Sequence, residues 1–363
     1  MFRLQRSLFA DNTPAGARFR QPAEWDTHAA CWLAWPSHVE LWEGGLEAAR
    51  LEFVALCRAI ADCDPVTGEF RGEALEVLVP DEATRCDAEV ALRGLPVRLH
   101  EIAFGDIWLR DTAPIFLSDP DGGLATVRFG FNGWGGKYVL PHDAQVSEQI
   151  AARVDVPEFR FNWVLEGGSV EVDGEGTCLT TRQCLLNPNR NPGMNQEMVE
   201  RGLCEALGVE TVLWLEDGLL NDHTDGHIDT LARFTAPGTV VCMQAREAND
   251  PNRAILDKIA CDLASFEDAQ GRRLQVIRVP SPGLILDTNG RVMPASYVNF
   301  YIANRTVVVP IYGSPYDTEA VAAIARCFPT RRTVGLSARA ILEGGGAFHC
   351  ITQQQPTATP LGS

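Results

Sequence analysis

Polar-rich segments sit at the ends of short apolar runs along this chain, and their recurrence restricts its folding more than any other feature. They fall at residues 32–36, 108–114, 165–168, 227–229 and around Cys350. Identity between them is negligible, so the resemblance is one of pattern. Between them, strand-like runs alternate with helical ones. Residues 75–80, 239–243 and 306–311 are β-branched or apolar runs of strand length. Residues 47–61, with Leu51, Val54, Ala55 and Ile60 at helical spacing, read as a helix, as do 194–207 and 318–327. This alternation predicts an α/β protein. Five similar units set about an axis would gather the five polar ends at its centre.

Composition narrows the class. At 363 residues and 45% apolar, the chain has ample material for a large core. A formal charge of −17 argues against nucleic acid or an anionic membrane as partner and permits a cationic small substrate. No apolar run approaches a membrane span. The first twenty residues carry Arg3, Arg6, Asp11, Arg18 and Arg20 rather than the apolar core of a secretory signal. Eleven cysteines, without a CxxC pair, are expected to be thiols in a reducing cytoplasm. Residues 1–22 read as an N-terminal arm, 23–356 as one domain and 357–363 as a solvated tail.

Chemistry concentrates in the polar ends. Cys350 closes the glycine run 344–346, where close backbone approach could present its thiol to a ligand; most free cysteines are instead small buried apolar residues. If 227–231 enters a strand, the period of two puts His227 and Asp229 on one face, a base and a carboxylate looking into one space. The bland alternative is a surface pair at a loop. The same alternation on an extended segment would turn His349 away from Cys350, making it a poor base. His223 and His227 with Asp222, Asp225 and Asp229 have metal-ligand types, but i,i+4 histidines need a helix that Gly226 opposes, so no metal is expected. Asp111 beside Trp108 suits a planar cation, with the ring offering a π face and the carboxylate paired acceptors; it could equally cap the turn before Pro114. Trp134, in the glycine-rich loop 131–138, is either part of a substrate lid or packed in a simple turn. Glu166, before Gly167 and Gly168, is a carboxylate at a close-approach point or at a solvated turn.

Taken in order, the segments at 32–36, 108–111, 131–137, 165–168, 224–229 and 345–354 resemble the guanidino-group-modifying (pentein) superfamily. Within it they are similar to the agmatine deiminases, of the Porphyromonas-type peptidyl-arginine deiminase family. The similarity runs from about Glu24 and Trp25 to Pro356, nearly the whole chain. It implies a five-bladed α/β propeller with its site on the pseudo-five-fold axis, residues 23–356 forming the catalytic domain. It also implies hydrolysis of agmatine to N-carbamoylputrescine and ammonia without a cofactor, a step toward putrescine. By position, Cys350 matches the nucleophile, His227 the general acid and base, and Glu166 the carboxylate partnering that histidine. Asp111 and Asp229 match the guanidinium clamp and Trp108 an aromatic wall. Ala347, Phe348 and Ala113 depart from the usual pattern without touching a catalytic role.

Other readings share these residues. Free arginine, peptidyl-arginine or another guanidine could be the substrate, or an amine could replace water, as in an amidinotransferase. Agmatine needs acceptors for its distal ammonium, for which Asp225 and Asp222 are candidates. A polyamine-binding protein would grip the cation without chemistry. A cysteine protease is disfavoured, because its oxyanion needs donors where this chain offers carboxylates. Homo-oligomerisation stays open at this level.

Overall fold

Strand pairing divides the protein into five small sheets, and in each the first strand runs antiparallel to the second while a helical crossover leads to a parallel third. The computed structural model describes residues 12–42 and 44–358. Positions 1–11 of the expected arm and 359–363 of the expected tail lie outside them.

The first unit is Ile115–Ser118, Leu124–Gly130 and Glu158–Val164, crossed by the helix Asp143–Val154. The second is Glu171–Val172, Thr177–Thr181 and Thr211–Leu215, crossed by Gln196–Leu207. The third is Ala232–Ala236, Thr239–Gln244 and Gln275–Pro280, crossed by Arg253–Ser265. The fourth is Tyr301–Ile302, Thr306–Ile311 and Arg332–Ser337, crossed by Asp317–Ala325. The fifth joins distant parts of the chain: Gln353–Pro356 pairs antiparallel with His28–Ala34, which pairs parallel with Ala74–Val79 and through it with Val97–Glu101. The expected α/β alternation is therefore the observed one.

Middle strands such as Thr239–Gln244 and Thr306–Ile311 are buried on both faces, which explains why they read as continuous apolar runs. The helix Leu46–Ala61 buries Ala49, Phe53, Leu56, Cys57 and Ile60 at spacings of three and four. The expected stripe was rotated from this face: Leu51 is exposed, and Val54 is only half-buried. Residues 13–21 are tied to the second unit, Ala15 N–H donating to Glu205 O at 3.1 Å and Gln21 N–H to Leu207 O at 2.9 Å. Among the described residues no helix is long and apolar enough to cross a membrane. All eleven cysteines are free thiols.

A short turn precedes the first strand of every unit: Leu109–Thr112, the 3-10 turns Gly167–Ser169 and Ile228–Thr230, the turn at 297–298, and the turn at 348–351. These five turns carry the polar residues. One expected polar end is misplaced. Residues 32–36 run along and just beyond the strand His28–Ala34, where Trp32 stacks on His100 and donates to Gln355 Oε1 at 2.9 Å. Its place in the series belongs to the turn before Tyr301, which contributes Asn299.

Candidate active site

Asp111, His227 and Asp229 close on one point. A methyl group built on Gly168 would sit 2.7 Å from His227 Nδ1, 2.9 Å from Asp111 Oδ1 and 3.1 Å from Asp229 Oδ2. Only glycine leaves that space open. Asp111 Oδ1 accepts from Gly168 N–H at 2.9 Å and Oδ2 from Trp134 Nε1–H at 2.8 Å, so both oxygens are fixed in direction. Burial raises the Asp111 carboxyl above its usual range; His227 opposes this, while Asp229 and Glu166 add to it. Burial, the largest single influence, would also raise Asp229, but the His349 ring at 2.7 Å together with His227 and Arg233 holds that carboxyl below its usual range.

Cys350 stands at the edge of this space. Its Sγ lies 3.6 Å from Asp229 Oδ2 and receives a hydrogen bond from Asn299 Nδ2 at 3.2 Å. Burial and then the carboxylates Asp229 and Asp111 push its pKa well above the ordinary thiol value. Burial and those carboxylates thus disfavour the thiolate. A cavity of about 280 Å³ opens from Cys350 and Asp111, walled by Trp108, Trp134 and Tyr138. His227 and Asp229 face Cys350 from a smaller adjoining cleft.

His227 is buried and lies 3.7 Å from Asp111 Oδ1. Although burial disfavours its charge, Asp111, Cys184 and Glu166 together raise its pKa well above the usual value. Glu166 is wholly buried, with Oε1 accepting from Arg190 Nε at 3.0 Å and Oε2 without a partner among the described residues. Glu166, Cys184 and His227 bring ligand-type atoms within 4.8 Å of one another. The Arg190 guanidinium bonded to Glu166 opposes a further cation there. His223 and His227 lie in a turned segment, not a helix, and line different cavities.

Three local expectations change. Residues 227–229 enter a 3-10 turn, not a strand, so His227 and Asp229 converge through turn geometry and not through the period of two. The 348–351 segment is a turn and not extended, yet His349 still lines neither cavity of Cys350: its Nδ1 meets Asp229 and its Nε2 meets Glu24 Oε2 at 2.8 Å. Asp225 lines neither cavity, because Lys137, Asn189 and Arg190 occupy its two oxygens. That ties the 131–138 loop to the His227 turn. Trp134 in the loop adopts φ 53°, beside Gly133, Gly135 and Gly136 at φ 72°, 78° and 81°, a conformation that aims its indole at Asp111.

Sequence reasoning missed Asn299 and the support behind Asp229. Glu24 also receives Arg233 Nη2 at 2.7 Å, and Arg233 Nε donates to Glu171 Oε2 at 2.8 Å, all buried. Asn299 could have been found from the polar residue two positions before Tyr301; Glu24 offers no such signal, being 325 positions from His349. His349 is thus a positioning residue. His349→Ala should leave buried Asp229 and Glu24 oxygens short of a donor and lower unfolding free energy by about 1–3 kcal/mol. It should also reduce kcat/KM, and His349→Asn, with an amide donor near the Nδ1 position, should recover part of the kcat/KM loss. Denaturant unfolding and steady-state kinetics of both variants check this; equal kcat/KM in wild type and His349→Ala would dismiss the positioning role.

Relatives carry the same arrangement of chain. The agmatine deiminase of Pseudomonas aeruginosa (strain LESB58) is 38% identical over 368 residues, covering 95% of this chain and 97% of the relative. That of Stutzerimonas stutzeri is 39% identical with the same coverage. A solved structure of the agmatine deiminase of Enterococcus faecalis superposes with a TM-score of 0.87 at 32% identity, covering 96% and 98% of the two chains. A dimethylarginine dimethylaminohydrolase at 14% identity, with a TM-score of 0.54 over 90% of this chain and 100% of the other, shares the fold. The model of the Porphyromonas-type peptidyl-arginine deiminases matches residues 20–356, and the chain belongs to that family.

Proposed function

We propose that this protein hydrolyses agmatine to N-carbamoylputrescine and ammonia through an amidino-cysteine intermediate, within one catalytic domain spanning 23–356. In this reading the five units form a five-bladed propeller, and the turns before the first strands meet on its axis. The observation that carries the proposal is the convergence of Asp111, His227 and Asp229 on one point beside Cys350.

Physics supports each role. A guanidinium is a flat cation, and two buried carboxylates fix its plane by paired hydrogen bonds. Their desolvation is offset only when the cation lies between them. The bound cation also removes the repulsion that keeps Cys350 protonated, so the thiol loses its proton to solvent and the thiolate forms in the complex. The sulfur then adds to the guanidinium carbon, giving a neutral tetrahedral adduct. His227, charged beforehand, protonates the departing nitrogen; the C–N bond breaks and ammonia leaves a cationic amidino-cysteine. Neutral His227 next takes a proton from water as its oxygen adds to the same carbon. Collapse breaks the S–C bond, releasing the ureido product, the thiolate and a proton. Glu166 steadies the imidazole and its charge.

The named relatives support agmatine over other guanidines. With agmatine, free arginine and an arginyl peptide compared side by side, agmatine should give the fastest ammonia release, and N-carbamoylputrescine should be its product. Acid quenching during turnover should trap one amidino group on the Cys350 peptide by mass spectrometry. Absence of both ammonia and adduct with every guanidine would reject the reading.

A further inference from the structure

An aminoalkylguanidine ends in an ammonium, and that charge needs an acceptor at the outer end of the cavity. Neither aspartate expected there is free. Asp225 is occupied by Lys137, Asn189 and Arg190. Asp222 accepts from Thr224 and from Gly226 N–H within its own turn.

The indole of Trp108 leads outward instead. A methyl built on Gly346 would lie 3.1 Å from Cys350 Sγ and 2.7 Å from Trp108 Cζ3; one on Gly344 would lie 3.2 Å from Trp108 Cζ2. The ring therefore runs from the thiol to the residue adjoining Glu343. Glu343 is exposed and lines both the inner cavity and an outer one of about 200 Å³. Its Oε2 lies 3.9 Å from the methyl position of Gly45, at the edge of the loop that carries Leu41. No cation pairs with Glu343 among the described residues; Arg291 lines the outer cavity and not the inner one. His223, the other polar group shared by both cavities, is kept neutral by burial, helped by Arg291 and Lys137 against Asp222. Its ring does not compete as a cation.

We propose that Glu343 is the specificity-determining carboxylate of this site, receiving the distal ammonium of an aminoalkylguanidine and repelling the α-carboxylate of free arginine. The inference rests on the agmatine reading above and assigns its outer subsite. A carboxylate that meets the ammonium equally in substrate and transition state changes KM and leaves kcat.

The test compares wild type and Glu343→Gln on agmatine, n-butylguanidine and arginine. KM for agmatine should rise about tenfold with kcat within about twofold, the size expected for losing one charged hydrogen bond. The agmatine-to-butylguanidine ratio of kcat/KM should fall about tenfold, because the uncharged tail of butylguanidine does not use the carboxylate. The arginine-to-agmatine ratio should rise. An exposed side chain makes a folding defect no explanation, and matching thermal melts verify that. Equal selectivity in the two proteins overturns the proposal alone. No ammonia from agmatine with the wild type overturns the deiminase reading, and this subsite with it.

Discussion

Cys350→Ser should abolish ammonia release, by at least roughly 10⁴-fold as for removal of other covalent nucleophiles, while the protein folds and still binds agmatine. The substitution exchanges sulfur for a smaller oxygen at a site with 8% exposure, where Asn299 and Asp229 can bond either atom. Packing around Phe348 and Ile351 is untouched, so melting should hold within a few degrees. What disappears is ionisation. Burial and two carboxylates already hold the thiol well above its normal pKa, and a hydroxyl starts several units higher still. A bound guanidinium can bring the thiol into range, but it cannot do so for the alcohol. Coupled ammonia assay and calorimetric binding on the same preparation separate the two effects. Turnover within tenfold of wild type would remove Cys350 from the chemistry.

Asp111→Asn should lower kcat/KM for agmatine by about 2–5 kcal/mol, the usual loss on truncating one member of a buried charge pair. The amide keeps the shape but takes away the charge, and one of its termini becomes a donor. Both Asp111 oxygens already accept, from Gly168 N–H and from the Trp134 indole. An amide nitrogen in either place meets another donor, so the loop 131–138 should loosen as well. His227 should lose its largest charge-stabilising neighbour and titrate lower, moving the basic limb of the kcat/KM profile to lower pH. Unchanged kcat/KM and an unmoved profile would take Asp111 out of the clamp.

Much of this organisation is legible in the chain itself. The runs at 75–80, 239–243 and 306–311 become strands within a residue, because buried middle strands need β-branched residues on both faces. Cys350, His227, Asp111, Asp229 and Glu166 could be named because each sits in a compact motif. Their convergence was harder to read, since the period-two argument for His227 and Asp229 assumed a strand where a 3-10 turn forms. Asp225 was misassigned because nothing local shows that Lys137 and Arg190 reach it from 88 and 35 positions away. The segment 32–36 was read as one of the polar ends, yet its Trp32 and Trp35 are buried core residues. Asn299 lacks charge and a glycine neighbour, so only the repeating turn-before-strand geometry singles it out.

The pairing of Gln353–Pro356 with His28–Ala34 has an implication for biosynthesis. Ribosomes make proteins from the amino end, so the sulfur arrives after every partner it works with. Four earlier sheets can assemble during translation, but a nascent or prematurely terminated product carries acids and imidazole without Cys350, the nucleophile proposed above. Competence for guanidine chemistry is thereby coupled to the last strand docking beside the first.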